Sequence, residues 1–302
     1  MIRTIPETTR NVFMELHRDR RLHNGWFGFF IRGVVVTIIS AVGPAAALAQ
    51  EPEGDPEPAE QTTLAEEAKA AERIEEILTA QQKQSDGLKD IRCAVKFTED
   101  DRVNLTRRTK SGKIMFMVAP NNPNFMIHFE KTEVDDVVGQ QEWYLFDGRW
   151  LYTAMERLKQ VTKQEIAKEG ERIDLFDLEN APFPLPFGQK KETILRNFNV
   201  ALVPPAEGDP PDVDHLMCIP KPESPMYRKY NSLEFFVRRD MHMPGKIIAT
   251  KNDGLEVNIA EFPDLAPKSI NAGVKDRDFV KPSAWSSYKE VVETIDQSEP
   301  RP

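Results

Sequence analysis

Apolar residues recur at helical spacing in residues 63–84, while glutamate, lysine and arginine fill the positions between them. Asp86-Gly87 follows and is typical of a segment that ends a helix. The pattern therefore predicts one amphipathic helix ahead of everything else. Its apolar positions are Leu64, Ala68, Ala71, Ile74, Ile77 and Leu78.

Strand-like segments fill residues 91–164 and again about 198–262, separated by glycine, proline and asparagine turn residues. Asp147-Gly148 between two apolar runs predicts a tight hairpin, because a type I′ turn needs positive φ at both central positions. Strands in series with short turns form antiparallel meanders. The chain therefore belongs to the α+β class.

Some of these strands are apolar on both faces. "GLEVNIAEF" at 254–262 alternates as a sheet with one wet face should, with Leu255, Val257 and Ile259 on one side. "KIMFMV" at 113–118 and "EWYLF" at 142–146 do not alternate. Either the helix and loops cover both sides of these strands, or one side lines a ligand cavity, and the pattern leaves both open.

Residues 173–187 form an apolar segment between the two strand groups. Ile173, Phe176 and Leu178 have helical spacing, and prolines 182, 184 and 186 follow. This segment, the flap, is too apolar for a plain surface loop. We expect it to cover the mouth of the sheet.

The start of the chain has the profile of a signal peptide. Arginines at 18, 20, 21 and 32 precede an uncharged apolar run of 17 residues, 33–49, which ends in Ala47-Leu48-Ala49. The run is shorter than the roughly 20 residues that span a bilayer. We expect cleavage after Ala49, with an uncleaved anchor as the alternative.

Removal of residues 1–49 takes away six arginines and three acidic residues, which changes the formal charge from −9 to −12. An acidic surface argues against nucleic acid and against tight binding to anionic headgroups. In an oxidising compartment Cys93 and Cys218 either pair or pack as small apolar residues, and the sequence leaves both open.

Catalytic chemistry has little support in the sequence. His128, His215 and His242 are the histidines after residue 49, no two of them at ligand spacing, and no nucleophile or phosphate-loop motif occurs. We expect no catalytic residue, no metal and no cofactor, so the chain should not be an enzyme.

The order of the strands resembles the LolA-like family of periplasmic lipoprotein carriers. "SGKIMFMVAPNNPNFMIHFEK" and then "EWYLFDGRWLYTAMERLKQVTKQ" match that family's successive strands, and "INAGVKDRDF" resembles its closing segment. One position departs, since Met126 stands where these carriers often have an arginine that helps to hold the lid shut. The matching positions are Gly112, Pro120, Phe125, Asp147, Gly148, Leu151, Tyr152, Gln160, Val161, Thr162 and Phe279.

The resemblance implies an incomplete, strongly curved antiparallel β-barrel with an N-terminal helix and a helical lid on the concave face. We therefore expect a signal peptide at 1–49, a disordered linker at 50–62 that is rich in proline and glutamate, a carrier domain at 63–282 and a C-terminal tail at 283–302. Hiding one acyl chain of about 16 carbons from water requires apolar shelter worth on the order of 12 kcal/mol.

We therefore expect a monomeric periplasmic carrier that binds acyl chains of lipoproteins or another lipid for transfer between envelope membranes. An inner-membrane transporter would be the donor and an outer-membrane receptor the acceptor. The predicted cavity-wall residues are Met115, Met117, Phe125, Ile127, Phe129, Trp143 and Leu145. The predicted lid residues are Phe176, Leu178, Phe183, Leu185 and Phe187.

Two further hypotheses stay open at this point. One is an envelope sensor, similar to the RseB-like regulators, that binds a membrane-protein partner. The other is an envelope interaction domain whose barrel is packed solid and has no cavity.

Overall fold

A computed structural model of the chain describes residues 58–118, 123–134, 137–172, 187–206 and 212–295. The predicted signal peptide and most of the predicted linker lie outside these residues, as do flap residues 173–186. The chain divides into two compact units, residues 1–69 and 70–302. The described part of the first unit is the beginning of one helix, and the second unit holds the rest of that helix and every strand described below.

The described residues form two α-helices and thirteen strands. The helices are α1 (Pro58–Asp86) and α2 (Lys191–Asn197). The strands before α2 are β1 (Asp90–Asp101), β2 (Thr106–Met117), β3 (Asn124–Val134), β4 (Val137–Gly139), β5 (Glu142–Phe146), β6 (Trp150–Met155) and β7 (Gln160–Glu165). The strands after it are β8 (Phe198–Val203), β9 (Val213–Pro220), β10 (Tyr230–Arg238), β11 (Met243–Lys251), β12 (Glu256–Glu261) and β13 (Lys289–Glu293).

All thirteen strands belong to one sheet with the order β13-β7-β6-β5-β3-β2-β1-β12-β11-β10-β9-β8, and β4 pairs with β3 beside this path. Every pair is antiparallel except β13 with β7. Within the described residues the two ends of the path, β13 and β8, are not paired with each other, so the sheet is open. The α+β class is confirmed, whereas the strong curvature and the helical lid remain predictions.

Local sequence explains two of the sharper features of the sheet. The hairpin between β5 and β6 lies at Asp147-Gly148 as predicted, and Gly148 has φ 93°. Asp147 and Arg149 do not have positive φ, so the predicted type I′ turn is wrong, since that turn needs positive φ at both central positions. The register of β2 against β3 shifts between Ser111 and Gly112. A Cβ at Gly112 would lie 1.8 Å from the carbonyl oxygen of His128, so only glycine fits this bulge.

The sheet has two distinct apolar faces. Ile91, Phe116, Phe125 and Phe146 lie opposite one another in one row of neighbouring strands and are all buried. We call their side the helix face, because residues of the same side on β9 and β10 line a cleft together with Leu78 of α1. The opposite side is the Trp285 face, named for the side chain that packs on it.

Part of the predicted C-terminal tail joins the sheet. Residues Ser283–Ser287 form a 3₁₀ turn that carries the buried Trp285, and β13 then runs parallel to β7. The hydrophobic effect explains this position, because the segment covers a row of apolar side chains on the Trp285 face of β5 and β6 that would otherwise contact water. None of the helices within the described ranges has the length and apolar character needed to cross a bilayer.

Candidate functional site

A cleft separates α1 from the helix face of strands β9 to β11. Its apolar lining comes from both sides, and it opens next to the end of the flap. The space inside is about 20 Å³, which is room for roughly one water molecule. The lining residues are Leu78, Gln81, Ser85, Phe187, Gly188, Gln189, Ile194, Leu216, Cys218, Phe235, His242, Met243 and Pro244.

The sequence builds this lining from simple periodicities. Ile77 and Leu78 are the buried apolar positions of the C-terminal half of α1. Leu216 and Cys218 alternate with outward-facing neighbours on β9, and Phe235 lies opposite Leu216 on β10. One helix face and one face of three strands therefore close on each other, as burial of their shared apolar surface requires.

Polar side chains fasten α1 to the sheet. Arg73 donates to Asp214 of β9 at 2.8 Å, and Arg239 donates to the other oxygen of the same carboxylate at 2.9 Å. Asp214 is only 7% exposed in its side chain, whereas that of Arg73 is 41% exposed. The contact joins a buried anion to a cation that can return to solvent, so it can break at moderate cost.

A second fastening joins α1 to α2. Lys191 forms an ion pair with Glu75 and donates from its backbone nitrogen to Gln82 at 3.1 Å. Its ammonium group also contacts the hydroxyl of Thr79 at 3.3 Å. The Glu75 side chain is 55% exposed, so this second fastening, unlike the one to Asp214, involves a carboxylate that stays in contact with solvent.

Met126, where the related carriers often have an arginine, lies on the opposite side of the sheet from the cleft. Its register partners are Met115 and Leu145, and it is packed against the Trp285 cluster. An arginine here would not face α1. In this chain Arg73 and Lys191 make the contacts that hold the helix.

The predicted cavity-wall residues do not share one surface. Phe125, Ile127 and Phe129 lie on the helix face and are buried there. The other four lie on the Trp285 face, because the strand register places them opposite one another on that side: Met115, Met117, Trp143 and Leu145. A single cavity cannot be lined by both groups, since successive residues of a strand point to opposite sides.

Trp143 and Leu145 belong to a second apolar cluster. With Tyr152, Ala154 and Val161 they are buried beneath Trp285. The indole of Trp285 is tilted at 33° to the ring of Tyr152, with ring centroids 6.4 Å apart. This explains why the Trp285 face of the β5–β6 hairpin is apolar, while Tyr144 and Phe146 are buried on its helix face.

Of the predicted lid residues, Phe187 lies within the part of the chain that the structure describes, and it lines the cleft. Its ring centroid is 4.7 Å from that of Phe262, and it is 2% exposed. Phe176, Leu178, Phe183 and Leu185 lie outside the described residues. Sequence reasoning missed Leu216, Cys218, Phe235 and Met243, although the alternation of β9 in "HLMCIP" contains the signal for the first two.

Both cysteines are free and buried. Burial raises the pKa of the Cys218 thiol to about 12, and burial together with the nearby Asp264 raises the pKa of Cys93 to about 12. A neutral thiol is a weak nucleophile. Cys218 therefore behaves as a small apolar wall residue of the cleft.

Comparison with known proteins finds no matching protein-family model and no matching curated protein. Solved structures are found. A LolA superfamily protein from Nitrosomonas europaea has a TM-score of 0.28 at 12% identity, covering 68% of this chain and 97% of that one. LprF from Mycobacterium bovis has a TM-score of 0.38 at 10% identity, covering 70% of this chain and 98% of that one.

A third structure is the complex of MucB with MucA from Pseudomonas aeruginosa. It has a TM-score of 0.39 at 12% identity, and the match covers 70% of this chain but only 62% of that one. TM-scores below 0.5 at such identities carry no argument about what this chain binds.

Proposed function

We propose that this chain is an exported, non-catalytic carrier that shelters an acyl chain of a lipoprotein, or another lipid, against the helix face. It acts in the periplasm between the envelope membranes, with an inner-membrane transporter as donor and an outer-membrane receptor as acceptor. The observation that carries the proposal is the cleft between α1 and the sheet, because its apolar walls belong to two elements that polar contacts also join and that can separate.

The size of the cleft defines what binding requires. With room for about one water molecule, it admits no acyl chain while α1 lies in place. A chain of about 16 carbons gains on the order of 12 kcal/mol on leaving water, which exceeds the cost of breaking the two polar fastenings of α1. In the proposed cycle α1 closes over the apolar surface when the ligand leaves and moves aside when it enters.

Binding of a fluorescent long-chain fatty acid to the delipidated protein tests this proposal. Saturable binding that unlabelled oleate competes away is the expected result. A matched pair of variants locates the site: Leu78→Ala in the cleft and Leu145→Ala on the Trp285 face remove the same side chain from positions 1% and 2% exposed. Each should lower the free energy of unfolding by roughly 2–5 kcal/mol.

Only Leu78→Ala should change acyl affinity. Because Leu78 competes with the ligand for the same apolar surface, we expect the affinity to rise about fivefold, and to stay within twofold for Leu145→Ala. Equal effects of the two variants on binding would place the ligand elsewhere.

A second candidate is a non-catalytic envelope interaction domain without a lipid site. The small volume of the cleft favours it, since the helix face is filled by the protein's own side chains. Delipidated protein that takes up no acyl probe at any concentration below micelle formation would support this second function and exclude the carrier.

A further inference from the structure

A band of charged and polar side chains crosses the helix face on strands β1, β2, β3 and β5. At its centre the ammonium of Lys110 lies 3.0 Å from Glu142 and 3.8 Å from Glu99. Lys110 is only 7% exposed in its side chain, and the hydroxyl of Tyr144 donates to Glu142 at 3.2 Å. The Lys110 band consists of Glu99, Arg108, Lys110, Thr132, Glu142 and Tyr144.

The band directly adjoins the apolar part of the same face. Phe97 is the register partner of Lys110 on β1, and the Lys110 ammonium lies 5.6 Å from the centre of the Phe129 ring. The rings of Phe97 and Phe129 are 6.4 Å apart. Both residues are only 5% exposed, so an amphiphile whose chain replaced their present cover would bring its polar end to Lys110.

The band has hydrogen-bonding capacity that its own members do not use. Thr132, the register partner of Lys110 on β3, is 6% exposed, and its hydroxyl has no hydrogen-bond partner among the described residues. Glu99 lies 3.8 Å from both Arg108 and Lys110, which is beyond hydrogen-bond distance. Buried polar groups are nearly always paired, so the buried hydroxyl of Thr132 beside Lys110 points to a ligand.

The charges of the band define the kind of head that fits. Arg108 and Lys110 are matched by Glu99 and Glu142, so a ligand with a net charge would leave one buried charge without compensation. A neutral head with both acceptor and donor oxygens matches the cations, the carboxylates and the hydroxyl together. Ester carbonyls and free hydroxyls on a glycerol unit supply these groups.

We propose that the Lys110 band binds the neutral, ester- and hydroxyl-bearing head of a glycerolipid whose chain lies on Phe97 and Phe129. This inference rests on the proposed function and names the ligand class of that carrier. The ester carbonyl accepts from Lys110 or Arg108, and a glycerol hydroxyl reaches Glu99 and Thr132.

Three probes with one oleoyl chain and different heads test the inference: 1-oleoylglycerol, oleate and 1-oleoyl-lysophosphatidylglycerol. The informative variant is Thr132→Val, which replaces the unpartnered hydroxyl with a methyl group of similar shape and should leave the protein folded. Its matched control is Thr109→Val on β2, whose hydroxyl pairs with Thr98 on the opposite face. Calorimetry below micelle formation gives each dissociation constant.

We expect Thr132→Val to weaken binding of 1-oleoylglycerol about fivefold and to change oleate binding less than twofold, with no effect of Thr109→Val. If all three probes bind wild type and neither variant alters any of them, the head site is wrong while the carrier function stands. Tightest binding of the anionic lysolipid, lost in Thr132→Val, would overturn the preference for a neutral head. Binding of none of the probes would overturn both proposals.

Discussion

The indole ring of Trp285 meets that of Trp143 edge-on, with ring centroids 6.3 Å apart and planes at 78°. This contact joins the C-terminal segment to a strand about 140 residues earlier in the chain. Lys281 adds a cation over the ring of Tyr152, 3.8 Å from its centre. The Trp285 face is therefore a structural core in its own right, separate from the cleft.

Trp285→Ala should lower the free energy of unfolding by roughly 3–5 kcal/mol, because it removes a buried aromatic side chain and leaves a cavity over Trp143 and Tyr152. Urea denaturation followed by circular dichroism measures the loss. Tyr227→Ala is the control, since Tyr227 is 50% exposed and its replacement should cost little. Acyl binding by folded Trp285→Ala should match wild type, and a loss of binding would show that the two faces are coupled.

Arg73→Met should open the cleft more often. The contact with Asp214 is part-exposed, so its loss should favour the open form by roughly 0.5–1 kcal/mol, which is about a threefold rise in the open population. Alkylation of Cys218, mapped by mass spectrometry, reports each opening. Cys93 is an internal reference because it does not line the cleft.

Lys113→Met is the matched control for that experiment, because it breaks an ion pair with Glu130 in which both side chains are well exposed. Its Cys218 alkylation rate should equal that of wild type. Unchanged alkylation in Arg73→Met would mean that apolar contacts alone hold α1 in place.

Alkaline pH should destabilise the protein through its thiols. Their pKa values are raised from 9.0 to about 12 in the folded chain. Below pH 9 both thiols are protonated in the folded and in the unfolded chain, so their contribution to the free energy of unfolding is constant. Between pH 9 and 12 the unfolded chain releases them first, so stability falls by about 1.4 kcal/mol per pH unit for each thiol.

Urea denaturation at pH 8, 9.5 and 10.5 under reducing conditions should therefore show a steeper decline for wild type than for Cys93→Ala/Cys218→Ala. Tyr144, whose pKa burial and then Glu142 raise well above the ordinary value, is present in both proteins and adds the same decline to each. Parallel curves for the two proteins would mean that the thiols titrate equally in both states.

The sequence predicted the elements of this fold well where local patterns determine them. The amphipathic helix, predicted over residues 63–84, is part of α1, and the Asp147-Gly148 hairpin lies where expected. The face of the sheet on which each strand residue lies was harder to predict. Val257 and Ile259 point to the Trp285 side of the sheet, whereas Asn258 of the same strand is buried on the helix face.

Long-range partners could not be predicted from periodicity. Trp285 stands alone in a polar segment, and no local pattern shows that it covers Trp143. Lys110 has the sequence context of an exposed strand lysine, and only the register beside Phe97 and Thr132 shows it buried. Only the strand register shows that the seven predicted cavity-wall residues lie on two different faces of the sheet.

Gly112→Ala should be among the most damaging single substitutions in the sheet. The new methyl group would meet the carbonyl oxygen of His128 at 1.8 Å and the Cα of Phe129 at 2.7 Å, both of them backbone atoms that cannot turn away. The bulge would have to open and break the β2–β3 ladder, at a cost on the order of 3 kcal/mol.

Gly87→Ala is the control, because its nearest neighbour lies 3.7 Å away at ordinary van der Waals distance. Thermal and urea denaturation of both variants should show a large loss for Gly112→Ala only. Since the bulge places Phe129 and Thr132 of β3 on the same face, folded Gly112→Ala should also lose the preference for 1-oleoylglycerol over oleate, and an unchanged preference would contradict the placement of the head site.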